Sequence, residues 1–321
     1  MTSHDMSRIL SDALLADVAR RTTRTDPVIW GFGVGPALVG MLRAGTALGD
    51  ERLIDQVEAL IRPALDAAPS PTDHLISVEA LVELQAVRPG LEVRGAIERF
   101  ADAIVAAARP VAGQPPVHRP DLAPLSRTIW VDCMHTDGPG LLAAGRRDDA
   151  VAVLAEASEV LQDESGLYSH SYDIAAGRAN GVHWGRGQGW ALHGLVLGPA
   201  AADLDRRLGS LLEGLAGTEA QGRWRTIVDD AAAPFESSVS AIVASGILLG
   251  NGAGRIDDAW LPLARRALEA AIDDLDPDGG LPVSEATPAG PAAGYLTRGT
   301  GVYPWGQGPL LLALLEGRNR L

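Results

Sequence analysis

Two kinds of helical segment alternate along this chain, six of each. They predict an all-α fold: an (α/α)6 barrel of six inner and six outer helices, with short strand-like loops on one rim. Three observations carry the prediction. Segments that are apolar nearly all round recur six times, amphipathic segments fall between them, and glycine-led extended segments sit before several of the apolar ones. A helix apolar on every side belongs inside, and one with a charged face belongs outside. Closing six such hairpins into a ring satisfies both. A linear solenoid would use a steadier repeat.

The inner set comprises LVGMLRAG from Leu38, SVEALVEL from Ser77, GLLAAG from Gly140, WALHGLVLG from Trp190, SAIVASGILLG from Ser240 and LLLALLEG from Leu310. The outer set begins with SRILSDALLADVARR and RLIDQVEALIRPALDAA. It continues with AIERFADAIVAAA, DDAVAVLAEASEVLQ, DLDRRLGSLLEGLAG and AWLPLARRALEAAIDDL. In these the apolar positions follow i, i+3, i+4, i+7. The extended segments are GLYSHSY from Gly166, GRWRTIV from Gly222 and GLPVSEA from Gly280. The string W-G-x-G occurs at Trp30, Trp184 and Trp305, each time followed by an apolar run. With seven tryptophans in 321 residues, chance does not explain three copies. Helix starts offer free N–H groups and a positive dipole end, so these strings predict one mouth of the barrel, lined by indoles. Residues 1–321 form a single catalytic domain on this reading.

Composition narrows the function. A net charge of −14 disfavours nucleic acid as a partner. It also means that any anion site needs its own local cation. A single cysteine, Cys133, excludes an internal disulfide framework. No run approaches the length of a membrane span. The N-terminal segment lacks a basic start followed by an apolar stretch, so a cytoplasmic protein is expected.

Candidate chemistry concentrates at the mouth. In RTIWVDCMHTDGPGLLAAG, Asp132 follows Trp130 by two residues and precedes an inner helix. It is either a helix N-cap or an acid aimed into the mouth beside an indole. Asp137, directly before Gly-Pro, is the better cap. In GVHWGRGQGWALHGL, the residues Trp184, Arg186, Gln188 and Trp190 crowd together among glycines. Arg186 can pair bidentately with a carboxylate, and the indoles can stack on a sugar ring. The competing reading is an internal ion pair and core packing. His118 and His170 lie on loops of the same rim. Asp73 has a strong claim as a cap, with Ser70 and Thr72, and Glu236 suits a first helical turn. No metal or cofactor is expected: H-E-x-x-H, P-loop and nucleophile-elbow strings are absent, and the glycine-rich strings do not follow a strand.

Taken in order, WGFGVGPALVGML, RTIWVDCMHTDGPGLLAAG, GLYSHSYD, WGRGQGWALHGL, ESSVSAIVASGILLG and GQGPLLLALLE resemble the unsaturated glucuronyl and unsaturated rhamnogalacturonyl hydrolases, glycoside hydrolase families 88 and 105. The resemblance covers most of the chain and implies the same barrel. It further implies an unsaturated uronide oligosaccharide as substrate. Such enzymes protonate carbon 4 of a 4,5-unsaturated uronic acid, water adds at carbon 5, and the resulting hemiketal opens with loss of the aglycone. By this resemblance Asp132 is the general acid/base and Asp73 the second acidic residue. Trp184, Arg186, Gln188, Trp190, His170 and His118 match substrate-contacting positions, while Trp30 and Trp130 are placed at the mouth by position. Thr136 stands where family 105 carries methionine, and Gln188 is as in family 88. An ordinary glycosidase or sugar epimerase on the same barrel, or a non-catalytic carbohydrate-binding barrel, are the alternatives.

Overall fold

The computed structural model describes residues 10–25, 31–66, 77–107, 109–120, 123 and 125–321. Two series of helices alternate through them. The amphipathic series is α1 (Asp12–Thr22), α3 (Glu51–Ile61), α5 (Arg94–Ala106), α7 (Arg147–Leu161), α9 (Ala202–Thr218) and α11 (Leu261–Asp273). The apolar series is α2 (Gly31–Leu48), α4 (Val78–Val87), α6 (Cys133–Ala143), α8 (Gly185–Leu197), α10 (Ser237–Gly252) and α12 (Pro304–Arg320). Burial follows pattern. Helix α9 hides one stripe, Leu204, Leu208, Leu211, Leu212 and Leu215, at helical spacing. Helix α8 is buried at every position from Gly185 to Val196. Each fully buried leucine contributes about 1.5–3 kcal/mol relative to exposure.

The apolar helices pack in a circuit. Helix α2 lies on α4, α4 on α6, α6 on α8, α8 on α10, α10 on α12, and α12 returns to α2. The amphipathic helices flank it. Helix α1 lies on α12 and α2, α3 on α2 and α4, α5 on α4 and α6, α7 on α6, α9 on α8, and α11 on α10 and α12. Small residues allow the close contacts. A Cβ on Gly308 of α12 would stand 2.3 Å from the backbone nitrogen of Ala37 on α2. Among the described residues, no helix is long and apolar enough to cross a membrane.

Extended segments gather at the N-terminal ends of the apolar helices. Strands β1 (Thr128–Trp130), β2 (Ser171–Asp173) and β3 (Arg178–Ala179) form an antiparallel sheet, with Trp130 opposite Ser171 and Tyr172 opposite Ala179. Strands β4 (Pro282–Ser284) and β5 (Thr300–Val302) pair separately. The GRWRTIV segment makes only isolated bridges: Ala220 with Arg223, Trp184 with Ile227, and Arg225 with Phe235.

Side-chain caps are few among the described helix starts of both series. Ser11 and Asp50 cap α1 and α3 with their side chains. Among the apolar helices, Ser77 caps α4. The residues preceding α6, α8, α10 and α12 are Asp132, Trp184, Glu236 and Tyr303, and none makes a side-chain cap bond. Two carboxylates are thereby left for other work. The expected cap at Asp137 is corrected: α6 begins at Cys133, so Asp137 lies inside the helix.

Candidate active site

The starts of α6, α8 and α12 open into a cavity of about 470 Å3. It is lined by Trp130, Trp184, Trp190 and Trp305, by Asp132, His118 and His170, and by Arg119, Arg186 and Arg298. Residues 286–289 close one side. Among the described residues, Asp132 is the one carboxylate in that lining.

Asp132 is 8% exposed. Its Oδ2 lies 3.2 Å from His170 Nε2. The side chain therefore faces the cavity and a histidine rather than the first turn of α6. His170 stacks obliquely on Trp184, with ring centroids 4.3 Å apart, and its Nδ1 meets the Tyr295 hydroxyl at 2.7 Å. Strand pairing between β1 and β2 holds this arrangement, since the Val131 N–H donates to the His170 carbonyl at 3.0 Å. On the far side, His118 Nε2 lies 2.8 Å from Asp137 Oδ2. His118 is thus a buried, carboxylate-bound residue. Burial raises the Cys133 thiol pKa well above its usual value, so the adjacent sulfur stays protonated.

Arg186 is 2% exposed, and both of its terminal nitrogens have protein partners. One terminal nitrogen donates to Ser284 Oγ (3.1 Å), Ser238 Oγ (3.2 Å), the Ser284 carbonyl (3.3 Å) and Glu236 Oε1 (3.4 Å). The other donates to the Glu285 carbonyl at 3.0 Å. The guanidinium also lies 4.6 Å from the Trp184 ring centre and 5.6 Å from that of Trp305. Burial lowers its pKa below the ordinary value, and Glu236 and Asp132 oppose that shift. Both readings from the sequence meet here: Arg186 lines the cavity, and it sits in an internal ion pair. Glu236 is not a dipole-facing surface acid. Its carboxylate accepts from Ser238 Oγ at 2.6 Å and from the Ser284 N–H at 3.1 and 3.2 Å.

Gln188 is placed elsewhere. It is fully buried, accepts from the Tyr168 N–H at 2.8 Å and donates to the carbonyls of Tyr168 and Trp184. All its polar bonds are to backbone, and it does not line the cavity. This corrects its expected place among substrate-facing residues. Trp30 and Asp73 lie outside the described residues, as do Ser70 and Thr72.

Arg298 lines the cavity and Tyr295 stands behind His170, and neither carried a sequence signal. Trp305 belongs to the third W-G-x-G string, and its Nε1 donates to the Ser284 carbonyl at 2.9 Å. Arg298 pairs with Glu285 at 3.0 Å and donates to the Ala286 carbonyl. Tyr295 comes from a Pro-, Gly- and Ala-rich stretch without helical periodicity, though it forms a one-turn helix, Ala293–Leu296.

Comparison with known proteins places the chain among the glycoside hydrolases. The family model of Glycosyl Hydrolase Family 88 matches residues 14–321, and the chain belongs to that family. An unsaturated rhamnogalacturonyl hydrolase, YesR of Bacillus subtilis (strain 168), is 28% identical over 211 residues. That match spans 58% of this chain and 59% of the relative, less than two thirds of its length. Among solved structures, a possible GH105 family member from Salmonella enterica serovar Paratyphi A has a TM-score of 0.83 at 19% identity, covering 99% of this chain and 95% of that one. The unsaturated glucuronyl hydrolase of Bacillus sp. GL1 has a TM-score of 0.72 at 20% identity, covering 94% of each chain. These two likenesses concern the fold.

Proposed function

We propose that residues 1–321 form one (α/α)6-barrel catalytic domain. Its reaction is hydrolysis of oligosaccharides that end in a 4,5-unsaturated uronic acid, with Asp132 as general acid and base. The observation that carries this reading is Asp132, the one carboxylate among the described lining residues, free of capping duty and set among indoles and guanidinium groups. The circuit of apolar helices and the fold of the relatives support the barrel.

The chemistry needs one carboxyl. Asp132 donates its proton to carbon 4 of the enol ether, leaving positive charge shared by carbon 5 and the ring oxygen. Water adds at carbon 5, and the Asp132 carboxylate takes the proton that water loses. The hemiketal then opens and the aglycone departs. Arg119, Arg186 and Arg298 give the cavity the cationic lining that a uronate requires in a protein of net charge −14. The guanidinium of Arg186 is locked by its protein partners, so it acts as fixed charge. Trp184 and Trp190 line the cavity, and their indole rings offer apolar surface on which a sugar ring can stack. An inverting glycosidase would need a second carboxyl roughly 6.5–9.5 Å away. The expected second acid, Asp73, lies outside the described residues.

The test uses lyase-generated unsaturated disaccharides and follows the loss of their conjugated ultraviolet absorbance. The wild type consumes them, and Asp132→Asn loses at least about 10²-fold in turnover while still binding. Near-normal turnover by that variant removes Asp132 from the mechanism. Activity confined to saturated uronides identifies an ordinary glycosidase, and binding without turnover a carbohydrate-binding barrel.

A further inference from the structure

A chain of hydrogen bonds behind Asp132 has only one consistent set of proton positions. It begins at Asn180, between β3 and α8. Asn180 Oδ1 faces the N–H groups of Val182 at 3.2 Å and Ser171 at 3.4 Å. A main-chain N–H only donates, so the orientation of this amide is fixed. Asn180 Nδ2 then donates to the Gly290 carbonyl at 3.3 Å and to the Tyr295 hydroxyl oxygen at 3.2 Å. The Gly290 N–H donates to the same oxygen at 3.3 Å. A phenol oxygen has two acceptor sites and one proton. Both acceptor sites are taken, so the proton points to the remaining neighbour, His170 Nδ1, at 2.7 Å. Burial keeps that proton on the phenol, with the Tyr295 pKa pushed up to about 12. In a neutral imidazole whose Nδ1 accepts, Nε2 carries the hydrogen. It donates to Asp132 Oδ2 at 3.2 Å.

We propose that Tyr295 is a positioning residue: through the Asn180–Tyr295–His170 chain it fixes His170 as the Nε2–H tautomer and makes Oδ2 of Asp132 the anchored oxygen. Oδ1 is then the oxygen that gives its proton to carbon 4 and takes one back from water. The Nε2 proton of His170 stays in place throughout. Tyr295 and Gly290 belong to the same 285–298 segment whose residues 286–289 line the cavity, so seating of that segment and the tautomer of His170 are linked. The role in catalysis rests on the reading of Asp132 above; the tautomer itself does not.

The experiment is a two-bond 1H–15N correlation spectrum of the full-length protein with 15N-labelled histidine, with His170 assigned by the signal lost in His170→Gln. The wild type shows the Nε2–H pattern. Tyr295→Phe keeps the ring but removes the donor, so His170 becomes a mixture of tautomers. In the same variant kcat falls by at least about tenfold with KM within about twofold. Asn180→Asp replaces a donor by an acceptor, which draws the Tyr295 proton away and turns His170 to the Nδ1–H form. An Nδ1–H pattern in the wild type overturns the proposal, as does an unchanged Nε2–H pattern in both variants. If the spectra behave as stated but Asp132→Asn keeps its turnover, the hydrogen-bond chain stands and the catalytic reading of Asp132 falls.

Discussion

Gln188 and Asp132 show how one rim assigns opposite tasks to polar residues in similar sequence settings. Both lie within five residues of an indole at the start of an apolar helix. Gln188 has an amide, which can donate and accept at once, and it holds both the N–H and the carbonyl of Tyr168. Asp132 can offer a cap, but the β1–β2 pairing brings His170 to its carboxyl instead. Replacing Gln188 by Leu leaves the Tyr168 N–H and carbonyl buried without those partners. The expected cost is about 1–3 kcal/mol for each group left unsatisfied, read as a lower midpoint in urea unfolding. Unchanged stability would mean that Tyr168 finds other partners.

At the scale of elements, the repeat is real but its register differs from the string W-G-x-G. Helix α2 starts at Gly31, α8 at Gly185 and α12 at Pro304. Counting from those starts aligns Trp30, Trp184 and Tyr303, and sets Trp305 level with Arg186. The fourth residues of α8 and α12 are then Gln188 and Gln307. Gln307 accepts from the Leu281 N–H at 2.7 Å and donates to the Gly279 carbonyl at 3.2 Å, as Gln188 does to Tyr168. In α10 the same position is Ser240, which donates to the Gly222 carbonyl at 2.8 Å. The turn glycines follow this register: Gly166, Gly222 and Gly279 have φ of 81°, 77° and 85°. Each is pressed on an amphipathic helix, at Ser210, Arg266 and Asp17. A Cβ on Gly222 would meet the Arg266 carbonyl oxygen at 2.1 Å. Gly222→Ala therefore combines backbone strain with a clash. Gly177→Ala has a similar φ of 63° and open space, and costs about 1–2 kcal/mol. Thermal melts should rank Gly222→Ala well below Gly177→Ala; equal melting points would show that the turn can move off α11.

For the whole molecule, the axis of the circuit holds a second set of ionisable groups. A cavity of about 240 Å3 is lined by Arg43, Glu79, Glu83, His135 and His193 together with apolar side chains. Burial raises the Glu79 pKa to about 8, and pushes His193 down to about 4 and His135 well below its ordinary value. Glu79 has a higher pKa folded than unfolded, so the fold favours its protonated form. Its contribution to stability is complete below about 4.5, the ordinary carboxyl value, and is lost as pH rises through about 8. Thermal melts between pH 5 and 8 should show the wild type losing stability relative to Glu79→Gln, which mimics the protonated acid. Parallel curves would refute the raised value.

The alternation of amphipathic and all-apolar segments was enough to set the order of helices and which series is buried, because the period and width of an apolar stripe are properties of the local sequence. Glycine-led segments likewise marked the rim, since a positive φ is a local demand. The neighbours of Asp132, Arg186 and Glu236 were a different matter. A residue just before a helix reads as a cap in sequence, and only packing decides whether its carboxyl turns to its own helix or away. His118 and Asp137, 19 residues apart, meet because loop and helix pack together. Tyr295 reaches His170 across 125 residues from a stretch with no pattern of its own. Such pairings are fixed by how separate helices and loops come together in space, and local periodicity carries no record of them.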